Sequence, residues 1–173
     1  MQYTVPALSI VLMVVSAVFG IAIPVVLFLF FRKKYKADIV PFFIGCAVFF
    51  LFAVVLESFV SILFIGTGII TDIGKTIQGN IWLSALMGGI MAGLFEETGR
   101  FAAFKTVLRK YRGNDVNALM YGAGHGGFEA FLVLFFTMLS NIFVSILINA
   151  NMMGVLEGPV TDDIARMQAI SNT

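Results

Sequence analysis

The stretch ALSIVLMVVSAVFGIAIPVVLFLFF, residues 7–31, contains no charged side chain and decides the fold class. A helix needs about 20 apolar residues to cross the hydrocarbon of a bilayer, so this stretch is long enough to span it. Three further segments, 40–65, 81–108 and 117–145, are also long enough. We therefore predict an all-α, polytopic membrane protein with about four transmembrane helices, forming a single domain over residues 1–173.

The composition supports this class. Of the 173 residues, 60% are hydrophobic and only 12% are charged, whereas soluble domains are roughly 45–50% apolar and 25% charged. The net charge of +1 gives no case for a nucleic-acid partner. We expect the lipid bilayer to be the main partner of the chain, as a multi-pass protein of the plasma membrane.

The loops predict an orientation, because lysine and arginine are enriched in cytoplasmic loops. RKKYK at 32–36 and RKYR at 109–112 hold most of the basic residues, whereas residues 66–80 contain one Asp and one Lys. With four spans, both basic loops lie inside and the amino terminus lies outside. Residues 151–173 form a polar tail, in which we expect a short interfacial helix.

Three of the charged residues of the third predicted span lie close together, in GLFEETGRFAAF at 93–104. Glu96 and Glu97 are four and three residues before Arg100, so either carboxylate can pair with the guanidinium. The other carboxylate then lies beside a like charge at low dielectric, which makes it a candidate proton acceptor. The alternative is a buried ion pair that fixes helix packing.

The fourth span carries a second polar group, in GAGHGGFEAF at 122–131. His125 and Glu129 are four residues apart and therefore share one helix face. His125 is the only histidine in the chain. The alternative interpretation is a histidine that is satisfied within the core and has no chemical role.

Counting residues predicts that the two groups meet. The third and fourth spans are joined by a short loop and should form an antiparallel hairpin. Counting from the loop places Glu96 level with Glu129, and Arg100 level with His125. A separate count from Lys36 places Glu57 of the second span near the outer interface. Stripes of small residues would let the two helices approach closely. These stripes are Ala85, Gly89 and Gly93; Gly88 and Ala92; and Ala118, Gly122 and Gly126.

The grouped side chains suit the activation of water, with one glutamate as general base and the histidine orienting water or donating to an oxyanion. A histidine with two carboxylates also suits zinc with an open coordination position. On this alternative His125, Glu129 and Glu96 are the candidate ligands of a divalent metal such as zinc. Two non-hydrolytic alternatives are a proton-coupled transporter or channel, because carboxylate–histidine chains also carry protons, and an inactive membrane scaffold.

FEETGR at 95–100, followed by GHGGFEA at 124–130, resembles the YhfC-like branch of the CPBP superfamily, the CAAX-protease and bacteriocin-processing intramembrane proteases. Most of that superfamily has three residues between the paired acids and the arginine, whereas EETGR has two, as in this branch. The paired glutamates of the family are matched by Glu96 and Glu97, its downstream base by Arg100, and its histidine motif by His125 and Glu129.

This resemblance implies an intramembrane protease that hydrolyses peptide bonds of membrane proteins or lipidated peptides with glutamate- or metal-activated water. We favour Glu96 as the base, because counting places it level with Glu129. The resemblance also implies a third motif with a further histidine or asparagine on a later helix, and this chain has a single histidine. We therefore expect the amino-terminal part of a longer family fold, or a chain that has lost the third motif.

Overall fold

A computed structural model describes residues 4–62, 76–77, 79–150 and 152 of the protein. Within these ranges the chain is built from helices and contains no strand, which confirms the predicted all-α class. The α-helices are α1 (Ala7–Tyr35), α2 (Val40–Phe49), α3 (Glu57–Ser61), α4 (Ile81–Lys105), α5 (Val116–Ala130) and α6 (Thr137–Asn149).

Two π-helical segments connect successive α-helices without a break. Phe50–Leu56 joins α2 to α3, and Phe131–Phe136 joins α5 to α6. The results are continuous helices over Val40–Ser61 and Val116–Asn149. Such wide turns are frequent at functional sites, and both lie close to a glutamate of interest.

Among the described residues, three helices are long and apolar enough to cross a membrane: Ala7–Tyr35, Val40–Ser61 and Val116–Asn149. The third predicted span is also a helix, α4, but its glutamates and glycines lower its hydropathy and it is not in this set. The four-span count and the outside amino terminus stay predictions. The interfacial helix expected in the tail lies outside the described residues.

The chain divides into two compact units, the larger of which comprises residues 20–132. In this unit, α2 and α5 approach until their backbones touch. A Cβ added at Gly45 would collide with the carbonyl oxygen of Tyr121, and one added at Gly124 would collide with the carbonyl oxygen of Phe42. Glycine is therefore required at both positions, because each contact is with backbone that no side-chain rotation can move.

The small-residue stripes predicted between α4 and α5 are wrong. A Cβ added at Gly88, Gly89, Gly93, Gly122 or Gly126 would meet no atom of the described residues within 4 Å. The glycine face that α5 uses is instead directed at α2, and also at α1, where Gly127 lies against Pro24. Helix α4 meets α5 through large side chains, with the rings of Phe104 and Tyr121 5.0 Å apart.

An apolar core and a polar network close one end of this unit. Ala103, Leu108 and Tyr121 form a buried cluster covered by side chains of α2 and α4. Beside it, Asn117 accepts from the backbone N–H of Asp38 and donates to the Asp38 carboxylate, both at 2.8 Å. Buried polar groups are stable only when bonded in this way, so Asn117 ties the α1–α2 turn to the start of α5.

The smaller unit contains the described residues of 1–19 and 133–173. The Asn149 amide accepts from the Val5 N–H at 2.7 Å and donates to the Val5 carbonyl at 3.1 Å. Buried Ser145 donates to the carbonyl of Asn141 at 2.7 Å and lies 3.9 Å from the sulfur of Met13. These contacts join the start of α1 to the end of α6 inside this unit.

The close contact between α2 and α5 at Gly124 predicts how adding one methyl group changes the stability of the protein. Gly124→Ala should lower the free energy of unfolding by about 2 kcal/mol, because α2 and α5 must separate to admit the Cβ. Gly126→Ala, two residues along the same helix, is the matched control. It should leave stability unchanged or raise it by up to about 1 kcal/mol, because alanine favours the helix. Thermal unfolding in detergent micelles measures both, and equal effects would contradict the packing described.

Candidate functional site

The structure brings Glu96 of α4 and His125 of α5 together. Nε2 of His125 lies 3.6 Å from Oε2 of Glu96, and the histidine side chain is 4% exposed. The contact joins the two sequence motifs that were singled out separately. It places a carboxylate and an imidazole against each other inside the helical unit, where each has a strong electrostatic influence on the other.

Counting predicted that the two groups meet, and the contact between Glu96 and His125 confirms this. The level of Glu96 relative to Glu129 stays a prediction. Helix α4 ends at Lys105, and the chain then turns through Arg109–Tyr111 before α5 begins. The count from Lys110 treated these connecting residues as part of the helix.

His125 is held from two sides by aromatic rings. The Tyr121 hydroxyl lies 3.4 Å from Nδ1 of His125, in a long hydrogen bond. The Phe49 ring meets the imidazole edge to face at 5.3 Å between centroids. Sequence reasoning missed Tyr121, although its spacing of four residues before His125 on the same helix face could have indicated it.

The other imidazole nitrogen, Nε2, finds no hydrogen-bond partner in the part of the chain that the structure describes. Nε2 of His125 is buried and makes no hydrogen bond to any described residue, and the Glu96 carboxylate lies just beyond hydrogen-bond distance. A buried polar atom without a partner costs free energy of about 1–3 kcal/mol. The position between these two groups therefore favours a small polar species that bonds to both.

Arg100 forms an ion pair with Glu97. Its Nη1 donates to Oε1 of Glu97 at 2.7 Å, and both side chains are exposed on the surface of the unit. The pair is the i, i+3 alternative of the two that the sequence allowed. Glu96 is therefore left unpaired by Arg100 and is directed at His125.

Glu129 lies beside the histidine–glutamate pair, on the wall of a cavity of about 350 Å³ that His125 also lines. Arg100 lines the same cavity. Gly122 and Gly126 line this wall, and a Cβ added at either would meet no atom of the described residues within 4 Å. The cavity is lined by Arg100, Phe104, Ala118, Tyr121, Gly122, His125, Gly126 and Glu129.

Glu57 is a further acidic residue that sequence reasoning left out of the cluster. It directly follows the π-helical segment Phe50–Leu56, and its charge interacts with that of Glu96. The residue count assumed a regular helix from Lys36, whereas α2 begins at Val40 and is followed by the wide turn. Residue number alone therefore could not place Glu57 relative to Glu96.

The candidate metal ligands are only partly assembled. Over the described ranges, no group of three His, Cys, Asp or Glu side chains is placed to hold a metal ion. His125 and Glu96 offer the donor chemistry of two zinc ligands, and a zinc site requires at least three from the protein. The described residues therefore do not complete a metal site, and the roles below are assigned to side chains alone.

These features define an α-helical membrane protein in which a buried histidine contacts a half-buried glutamate beside a cavity. The chain belongs to the YhfC family, because the sequence model described as YhfC intramembrane metalloprotease matches residues 19–171. This confirms the resemblance read from the two motifs. The placement of the family in the CPBP superfamily stays a prediction.

A relative in Bacillus subtilis (strain 168), named uncharacterized membrane protein YhfC, is 32% identical over 142 residues. The match covers 82% of this chain and 54% of the relative, so the chain spans about half the length of the curated relative. No solved structure matches the chain.

The single histidine makes the site directly observable by ¹⁵N NMR. Tyr121→Phe should shift the Nδ1 resonance of His125, because it removes the hydroxyl bonded to that nitrogen. Tyr111→Phe is the matched control in the same unit and should leave the resonance unchanged. An Nδ1 resonance that is the same in wild type and in Tyr121→Phe would contradict the contact.

Proposed function

We propose that the protein is an intramembrane protease that hydrolyses peptide bonds of membrane-associated substrates with water activated by Glu96. The observation that carries the proposal is the buried, unpartnered Nε2 of His125 facing the Glu96 carboxylate. A water molecule between them would bond to both. The cavity beside the pair would hold the substrate segment, and the family description supports the same class of activity.

In the proposed reaction Glu96 acts as the general base. It takes a proton from the water as the oxygen attacks the carbonyl carbon of the peptide bond. The C–O bond forms, and the carbonyl oxygen becomes an oxyanion. Glu96 then returns the proton to the nitrogen of the leaving amine as the C–N bond breaks.

His125 would stabilise the oxyanion. If the Tyr121 hydroxyl donates to Nδ1, the imidazole carries its proton on Nε2, the nitrogen that faces Glu96. That N–H is directed at the reacting position and can donate to the developing negative charge. Tyr121 would thus be a positioning residue, because its hydroxyl fixes the tautomer of His125.

The remaining charged residues would prepare the site. Arg100 neutralises Glu97, which limits the negative charge around Glu96. Glu129 lies on the cavity wall, where it can accept an N–H of an extended substrate backbone or orient the water with His125. The proposed substrates are membrane proteins or lipidated peptides, because His125 and Glu129 lie on a helix that is long and apolar enough to span a membrane. The proposed location is the plasma membrane.

A divalent metal such as zinc is implied by the family description. His125, Glu96 and Glu129 are the candidate ligands, but the described residues do not group three such side chains around one position. A metal on Nε2 would also require the His125 proton on Nδ1, donated to the Tyr121 hydroxyl, instead of the tautomer that donates to the oxyanion. When bound, a metal would supply a more acidic water.

Cleavage of a co-expressed membrane substrate tests the protease proposal. Glu96→Gln and His125→Ala should each lower the cleavage rate by about 100-fold or more, the usual contribution of a general base or acid. Asp115→Asn, a matched loss of a carboxylate in the loop before α5, should cleave as the wild type does. Equal cleavage by all four proteins would remove the proposal and leave the inactive scaffold.

A proton pathway is the second candidate function. It is favoured by a series of titratable groups in which Glu57 and Glu129 each interact with Glu96, which contacts His125. Such chains carry protons in pumps and transporters. On this account proton flux into vesicles containing the protein should vanish in Glu129→Gln, and unchanged flux would remove the idea.

A further inference from the structure

A second cavity lies away from the histidine–glutamate pair, where α4 ends. It has a volume of about 540 Å³ and is lined by Ile44, Thr106, Val107, Arg109 and Lys110. None of these residues lines the cavity beside His125. The second cavity therefore needs an explanation that does not depend on the proposed protease activity.

The cations of this cavity are available to a ligand. The segment KTVLRKYR, residues 105–112, contains four basic side chains and no acidic one. The ion pairs formed among the described residues are those of Arg100 and His125, so neither Arg109 nor Lys110 has a carboxylate partner there. Both side chains are exposed. An arginine fork beside a lysine ammonium matches the oxygens of a phosphate group.

The polar wall of the cavity adds little to these two cations. The Thr106 hydroxyl already donates to the Ala102 carbonyl at 2.6 Å. The Lys110 ammonium lies 5.1 Å from the Tyr111 ring, a cation–π contact that leaves its N–H donors free to turn outward. Charge attraction by Arg109 and Lys110 would therefore carry most of the binding.

The rest of the cavity is apolar, which distinguishes its ligand from a free ion. Val107 is 50% exposed and Ile44 is partly buried on α2. Ile44 lies four residues after Val40, roughly 6 Å along a membrane-spanning helix. A ligand with a phosphate at Arg109 and Lys110 would thus have hydrocarbon next to it, at the depth where acyl chains begin.

We propose that this cavity binds the headgroup of an anionic phospholipid. Arg109 and Lys110 hold the phosphate, and Ile44 and Val107 contact the first methylene groups. Basic pockets between transmembrane helices are known to bind lipid headgroups for the same physical reason. The bound lipid would lie against the end of α4, the helix that carries Glu96.

Native mass spectrometry of the full chain in detergent tests the proposal, with phosphatidylglycerol and phosphatidylcholine of identical acyl chains as probes. The wild type should retain phosphatidylglycerol in preference to phosphatidylcholine. Arg109→Gln/Lys110→Gln should reduce that retention by about 30-fold, as expected from two lost charge contacts. Lys33→Gln/Lys34→Gln makes the same change in net charge at the other basic segment and should retain the lipid as the wild type does.

Two further experiments distinguish lipid binding in this cavity from non-specific attraction of anionic lipid to basic residues. Val107→Trp fills the cavity and keeps both cations. It should reduce phosphatidylglycerol retention as much as Arg109→Gln/Lys110→Gln does. An unchanged melting temperature would show that the fold is intact. Retention by Val107→Trp, or equal loss in the Lys33 and Lys34 control, would overturn the proposal. Inorganic phosphate in large excess should leave the lipid bound, and displacement would overturn the lipid assignment in favour of a free phosphate ion.

Discussion

The position of His125 depends on the backbone contact between α2 and α5. Gly45 and Gly124 allow these helices to touch, and the contact buries the imidazole between Phe49 and Tyr121. One ring nitrogen then meets a hydroxyl, and the other is enclosed and faces α4. The packing of the larger unit thus determines which atom of the histidine is free for chemistry.

The charges around that nitrogen follow from the packing of α4. Gly99 of α4 packs against the side chain of Phe52, in the first π-helical segment. A Cβ added at Gly99 would lie 2.6 Å from the Phe52 ring, so α4 approaches this segment closely at one point. On its surface Arg100 neutralises Glu97, while Glu96 faces the histidine. One turn of α4 therefore carries two different acids: Glu97, which is paired with Arg100 on the surface, and Glu96, which has no arginine or lysine partner among the described residues and faces His125. This asymmetry supports the proposed roles of Glu96 as general base and His125 as oxyanion donor.

The sequence predicts the helices and both motifs because these signals are local. Long apolar runs identify α1 and the helices at 40–61 and 116–149, and charges within apolar sequence identify Glu96 and His125. The side chains that meet across α4 and α5 could not be predicted in detail, because they depend on how the loop after Lys105 folds. Contacts that join distant segments, such as that of Tyr121 with Phe104, depend on which faces of neighbouring helices meet. The small-residue stripes failed for the same reason.

The contact between Glu96 and His125 is the central claim, and a solid-state NMR distance measurement in bilayers tests it most directly. With ¹³C-labelled glutamate carboxylates and ¹⁵N-labelled histidine, dipolar dephasing of the unique Nε2 should report a carboxylate in contact, consistent with 3.6 Å between the nitrogen and oxygen. The dephasing should disappear in Glu96→Gln and persist in Glu97→Gln. A wild-type signal without dephasing, or one that survives in Glu96→Gln, would contradict the account.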